Sequence, residues 1–302
     1  MKYKRPRGTQ DILPDQAAEW QFAEATFRWL CELYGYREIR TPLFEDTDLF
    51  VRSVGEETDI VSKEMYTFTD RGGRSLTLRP EGTAPVVRAF IENNLQGADR
   101  NRIVKLYYIA PVFRYDRPQA GRYRQHHQAG VEALGSSSPA IDAEVIALAM
   151  AFYRQMGIEN AQLLLNSVGC PVCRPQYIEQ LRKFLAENLE HLCADCRRRY
   201  ETNPLRVLDC KNESCQPVLA QAPKMLDYLC EECSVHFSAV QEHLKALDIA
   251  YTIEPRIVRG LDYYTKTAFE FVSAGLGAQD AIGGGGFAAE IVSHRCDLGR
   301  QP

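Results

Sequence analysis

Two strand-like runs, RIVKLYYIAPVFRYD and YRQHHQAGVEALG, stand on either side of the proline- and glycine-bearing segment RPQAGR. β-branched and aromatic residues flanking such a break predict a long antiparallel hairpin. A hairpin of that length has to bury a face, and the neighbouring sequence offers helices to cover it, which points to an α+β fold. In DQAAEWQFAEATFRWLCELYGY, Trp20, Ala23, Phe27, Leu30, Cys31 and Tyr34 recur at three- and four-residue steps, with Asp15 as N-cap and Gly35 as the stop. DAEVIALAMAFYRQMG reads as a second helix and AQLLLNSVG as a buried strand. YREIRTPLFE reads as a strand broken by Pro42. RSLTLRPEGTAPVVRAFIENN reads as a strand, a turn at Pro80 to Gly82 and a helix starting near Thr83.

The tip of the hairpin is charged. Arg114, Arg117, Arg122 and Arg124 fall within eleven positions, although the chain carries a formal net charge of -4. Packing gives no reason to gather fixed positive charges, whereas guanidinium groups on rigid strand ends suit a phosphate or carboxylate. Gln125, Gln128 and Glu132 follow as acceptors, so the segment reads as a site rather than a solvated loop. TLRPEGTAP sets Glu81 and Thr83 at a strand-to-helix turn, either an ordinary acidic helix start or a grip for a ligand's ammonium. RGLDYYTKTAFEF offers Arg259 at a strand edge, then Asp262 and two adjacent tyrosines. On a strand, Tyr263 and Tyr264 point to opposite faces, so at most one lines a given pocket.

From Cys170 to about Leu247 the texture changes to cysteine pairs between short charged helices such as YIEQLRKFLAENLEHL. Eight of the ten cysteines lie there: Cys170 and Cys173, Cys193 and Cys196, Cys210 and Cys215, Cys230 and Cys233. The start, MKYKRPRGTQDILPDQ, has no apolar core behind its basic residues, so no signal peptide is expected. No run approaches the roughly 18 apolar residues of a membrane span. The cytosol is therefore the expected compartment, where disulfides seldom persist. Four pairs suffice for two tetrahedral zinc sites of four thiolates each, provided that they meet in space; the other reading is partly buried free thiols on helices. The basic run CRRRYETNPLR faces tRNA or is a solvated helix face.

PRGTQDILP, TPLFEDTDLF, LTLRPEGTAPVVRA, FRYDRPQAGRYRQHHQAGVEALG and RGLDYYTKTAFEFV, in that order, resemble the motifs of histidyl-tRNA synthetases, which are class II aminoacyl-tRNA synthetases. The likeness runs from about residue 4 to residue 286. It implies a six- or seven-stranded antiparallel sheet flanked by helices, with a first catalytic part at 1–168, a helical Cys-rich insertion at 169–250 and a second catalytic part at 251–302. The segment around TPLFEDTDLFVRSVG would form a homodimer interface. The reaction implied is attack of histidine's carboxylate on the α-phosphorus of ATP, then transfer of the histidyl group to the 3′ end of tRNA(His). Mg²⁺ would bridge the outer phosphates.

By the same resemblance, Arg114 and Arg259 act on the α-phosphate, and Arg122 meets the outer phosphates. Asp116 stands near adenine, where the family usually has Glu. Glu81, Gly82, Thr83, Arg114, Gln128, Glu132, Arg259, Tyr263 and Tyr264 would surround histidine. The family's third motif, expected after the glycine-rich stretch as Arg-Tyr-Asp-Gly, is replaced by GGGGFAAEIVSHRCDLGRQP, and its anticodon-binding domain is not expected in this sequence. Two rivals remain: the histidine-binding regulatory subunit of ATP phosphoribosyltransferase, and a zinc-bearing nucleic-acid module. An intact RGLDYY, both hairpin arginines and the cysteine-bearing insertion favour the synthetase. The nucleic-acid module leaves the first 160 residues unexplained.

Overall fold

The computed structural model describes residues 3–288 apart from 57, 100, 119–121, 259 and 274–279. They gather into two compact units, one over residues 3–161 with 280 and one over residues 162–273 with 281–288. Both are helix-flanked sheets in which antiparallel pairing dominates.

The first unit opens with α1 (Pro14–Leu33), whose buried stripe is Phe27, Leu30 and Cys31. Its N-cap is Leu13 rather than Asp15. Pro14 takes the first helical position, where a missing N–H costs nothing, and this shifts Asp15 into the first turn. Gly35, at φ +78°, ends the helix as the spacing predicts. There follow β1 (Arg37–Glu38), β2 (Phe44–Asp46), α2 (Thr47–Val54), β3 (Tyr66–Thr69), β4 (Ser75–Leu78), α3 (Thr83–Glu92), β5 (Val104–Phe113), β6 (Gln125–Leu134) and α4 (Pro139–Gln155). The predicted hairpin is β5–β6, registered from Val104 opposite Leu134 to Phe113 opposite Gln125. The short β1 runs parallel to β5, giving the order β1-β5-β6, and β2-β4-β3 form a separate small sheet.

α1 and α4 close over the hairpin through a cluster of Phe27, Cys31, Tyr36, Tyr107 and Leu148. Phe27 meets Phe152 edge-on at 5.3 Å and Tyr107 at 6.1 Å. Burying each such ring stabilises the fold by roughly 1.5–3 kcal/mol. Arg79, 3 % exposed, donates to the carbonyls of Pro111 at 2.8 Å and Thr41 at 3.0 Å, tying the chain before β2 to the hairpin's outer end.

The second unit consists of β7 (Gln162–Gly169), α5 (Arg174–Glu187), α6 (Ala194–Thr202), α7 (Gln216–Leu219), α8 (Glu231–Ala246), β8 (Tyr251–Ile253), β9 (Thr265–Val272) and β10 (Ala281–Phe287). Its sheet runs β10-β9-β7-β8, with only β7–β8 parallel. The described strands thus sort into sheets of three, three and four. The glycine-rich stretch is β10 itself: a Cβ on Gly286 would lie 2.3 Å from the Thr267 carbonyl oxygen, so only glycine fits there. Between β7 and β8 the helical stretch has its own core of Tyr177, Leu181, Leu185, Leu192, Val207, Leu208, Leu219 and Met225, with cysteines around it.

Candidate active site and cysteine clusters

α3 begins at Thr83 because Glu81 caps it. The Glu81 carboxylate accepts the Thr83 N–H at 2.6 Å and the Ala84 N–H at 2.8 Å, where the helix dipole favours a negative charge. Glu81 is only 1 % exposed, and burial raises its pKa against the pull of those amides and of Arg114. Thr83 carries the connection onward. Its hydroxyl donates to Glu132 Oε1 on β6 at 2.7 Å, and the Tyr108 hydroxyl reaches the same oxygen at 3.5 Å. Burial pushes the Glu132 carboxyl up to about 8; nearby Glu81 adds to this, while the two hydroxyls oppose it.

Tyr108 is a residue the sequence reading did not single out. It stands opposite Gly130 in the hairpin register, and a Cβ on Gly130 or Gly82 would lie 2.4 or 2.2 Å from its ring. Both glycines are therefore room for one aromatic. The signal lay in the register, which needs the loop length to be known. Gln128, Gly130 and Glu132 share one face of β6 at two-residue steps. The Oε1 of Gln128 is buried with no hydrogen-bond partner among the described residues. Two adjacent carboxyls, two hydroxyls and an orphaned acceptor suit a small ligand bearing a cation and further N–H donors.

Arg114 borders this group. Its Nε donates to the Pro80 carbonyl at 2.7 Å, and among the described residues its Nη nitrogens have no hydrogen-bond partner. Its charge, after burial, helps hold His126 down to about 4 and hence neutral. Two of the other hairpin arginines are engaged locally. Arg122 pairs with Asp116 at 2.9 Å, and Arg124 lies 3.8 Å over the Tyr115 ring. An exposed pair such as Arg122–Asp116 is worth only about 0–1 kcal/mol, so either member can be given up to a ligand.

Arg259 lies outside the described residues. The strand expected through Tyr263 and Tyr264 starts later, at Thr265, and residues 261–263 form a bend and turn. Strand alternation therefore does not apply: the rings lie 4.6 Å apart at 48°, side by side. The glycine and aspartate of RGLDYY favour a turn over an extended start.

The cysteine pairs do meet in space, in a nested order. Cys170 and Cys173 join Cys230 and Cys233; Cys193 and Cys196 join Cys210 and Cys215. Sulfur separations are 3.7 Å for Cys170–Cys173 and Cys170–Cys230, 3.9 Å for Cys173–Cys233, 3.8 Å for Cys193–Cys210 and 3.9 Å for Cys215–Cys196. A tetrahedral zinc with bonds of about 2.3 Å sets its sulfurs about 3.8 Å apart. Against burial, hydrogen bonds from backbone N–H groups and neighbouring thiols hold Cys170 and Cys193 down to about 7, whereas burial pushes Cys196 and Cys233 up. Each cluster thus pairs a thiol inclined to ionise, Cys170 or Cys193, with a buried thiol, Cys233 or Cys196, that a cation would have to deprotonate.

A model of the histidyl-tRNA synthetase family matches residues 8–295. The histidine–tRNA ligase of Desulforamulus reducens is 59% identical over 282 residues, covering 93% of this chain and 67% of that protein. That of Moorella thermoacetica is 59% identical over 286 residues, 95% of this chain and 67% of its own length. This chain thus spans about two thirds of these relatives. Among solved structures, apo S. aureus histidyl-tRNA synthetase superposes with a TM-score of 0.75 at 42% identity, over 97% of this chain and 68% of that one. A Bacillus halodurans protein titled as an ATP phosphoribosyltransferase regulatory subunit/histidyl-tRNA synthetase shares the fold, at TM-score 0.66 and 20% identity.

Proposed function

This chain belongs to the histidyl-tRNA synthetase family, and from that premise we propose that it is a histidine–tRNA ligase. It activates histidine with ATP and passes the histidyl group to the 3′ end of tRNA(His). The observation that carries this reading is the Glu81–Thr83–Glu132 arrangement with Arg114 beside it. The carboxylates receive the amino acid's ammonium. The Gln128 acceptor and the hydroxyls of Thr83 and Tyr108 serve the imidazole; the family resemblance assigns Tyr263 and Tyr264 to histidine as well.

Histidine's own carboxylate is ionised at neutral pH, so the first step needs no general base. It needs cancellation of charge growing on the α-phosphate, which falls to Arg114 and Arg259. Arg122 and Asp116 exchange their mutual pairing for ATP, and Mg²⁺ arriving with the nucleotide would supply further charge neutralisation. Histidine-dependent ATP–pyrophosphate exchange, with tRNA charging beside it, tests the reading. Arg259→Ala should slow adenylate formation by on the order of 10²–10³ with little change in histidine affinity. An unchanged single-turnover rate with histidine affinity lost by calorimetry overturns that role. Histidine binding with neither exchange nor charging would favour the regulatory-subunit reading.

Residues 169–250 are an insertion between catalytic parts at 1–168 and 251–302, and each cysteine cluster holds one structural Zn²⁺. The chain works as a cytoplasmic homodimer. Support for the dimer comes from exposed Leu43, Phe44 and Phe68 on and beside the small β2-β4-β3 sheet. Among the described residues, no helix is long and apolar enough to cross a membrane.

A further inference from the structure

We infer that the outer cysteine cluster, Cys170, Cys173, Cys230 and Cys233, positions the segment carrying Tyr263 and Tyr264, and that it does so through Arg174. This rests on the readings of the cluster as a zinc centre and of Tyr264 as a histidine-pocket residue. The β7–β9 ladder runs in register to Ser167 opposite Thr267, then breaks in a bulge before Gly169 opposite Lys266. Lys266 sits at φ +52°, a conformation that a lysine adopts only when its surroundings impose it. With that last pair the β7–β9 ladder ends, so no β7 bond holds the Tyr264 backbone.

Arg174 spans that gap. Its Nε donates to the Val168 carbonyl at 3.2 Å and its Nη2 to the Tyr264 carbonyl at 2.6 Å, so one rigid guanidinium replaces the missing ladder bonds. No acidic side chain pairs with Arg174 among the described residues, which leaves carbonyl bridging as its visible task. Its own placement comes from the cluster. Arg174 is the first residue of α5, directly after Cys173, and its N–H donates to the Cys170 carbonyl at 2.9 Å. The Cys170 N–H in turn lies 3.2 Å from the Cys173 sulfur. Gly169, at φ +66°, lets this turn seat closely: a Cβ there would lie 3.0 Å from the Cys173 sulfur and 2.3 Å from Met225 Cε. An ion that closes Cys170–Cys173 onto Cys230–Cys233 fixes the turn, the turn fixes Arg174, and Arg174 fixes the Tyr264 backbone.

Arg197 provides a matched control. It also bridges two carbonyls, those of Leu192 and Glu190, but beside the inner cluster and with no bond to Tyr264. The test measures bound zinc, histidine affinity by calorimetry, and KM against kcat in pyrophosphate exchange for the purified zinc-loaded chain. Arg174→Ala should keep both zinc ions and raise histidine Kd and KM about tenfold, the order expected for one charge-assisted bond. The KM for ATP should move less than twofold. Arg174→Lys should recover part of the loss, and Arg197→Ala should leave histidine affinity unchanged.

Chelating zinc from the unaltered chain should weaken histidine about as much as Arg174→Ala does, with recovery on adding zinc back. Chelating it from Arg174→Ala should weaken histidine little further, because both changes cut one connection. Wild-type histidine affinity in Arg174→Ala, or equal losses in Arg174→Ala and Arg197→Ala, overturns the inference, as do fully additive effects of chelation and substitution. A chain purified without zinc that still binds histidine normally overturns both the zinc reading and the clasp. Calorimetry needs no turnover, so loss of the ligase reading alone leaves this outcome readable.

Discussion

Glu132 is where the environment departs furthest from what the residue type suggests. In water a carboxyl is ionised at neutral pH; here burial and the neighbouring Glu81 raise it to about 8. The folded chain therefore holds a proton that the unfolded chain has released. Glu132 contributes stability fully below pH ~4.5 and loses that contribution as pH rises toward about 8. Glu132→Gln should flatten this part of the stability–pH curve, as measured by urea unfolding. A ligand ammonium reverses the preference, so histidine binding at pH 7 should expel a proton. Calorimetry in buffers of different ionisation enthalpy should register that release in the native chain and a smaller one in Glu132→Gln; equal release in both would count against the assigned contact. Gly82 is the companion case. Gly82→Ala would drive a Cβ into the Tyr108 ring, and a loss of about 1–3 kcal/mol, read as a lower melting temperature, is expected.

At the scale of elements, the stretch between β7 and β8 is a small body. Its apolar core rests mainly on Tyr177, three leucines spaced along α5 and the turn after it, and scattered residues of short helices. Helices of four and nine residues, such as α7 and α6, do not persist alone in water. Metal at the two clusters supplies the cross-links that such a core lacks. Zinc removal should therefore melt residues 170–233 while leaving the α1–α4 cluster over the hairpin intact. Hydrogen exchange before and after chelation would check this, with protection lost from α5 and α6 and kept in β5 and β6. Unchanged protection in α6 would mean that packing alone suffices.

For the molecule as a whole, the small β2-β4-β3 sheet poses the remaining question. Leu43 and Phe44 are 48% and 49% exposed and Phe68 is 43% exposed, with the two phenylalanine rings edge-on at 6.3 Å. Water is a poor neighbour for such a patch, and a second copy of the chain would cover it. Phe44→Asp should shift light-scattering mass from dimer to monomer at micromolar concentration; a monomeric mass for the unaltered chain would remove the motive for the substitution. Much of the molecule was legible beforehand from local signals. The hairpin followed from β-branched and aromatic runs on either side of RPQAGR and the α3 start from the turn before Thr83, while the proposed site residues were assigned through the resemblance of short motifs to a family. Those features depend on neighbours within a few residues, and a sequence displays such neighbours directly. The nested cysteine pairing, the place of Tyr108 between Gly82 and Gly130, the side-by-side rings of Tyr263 and Tyr264 and the bridge made by Arg174 were not legible. Each joins residues far apart in the chain or turns on a backbone conformation that local propensity does not dictate. Such contacts exist only once hydrophobic burial has closed the intervening loops, and only the tertiary structure decided them.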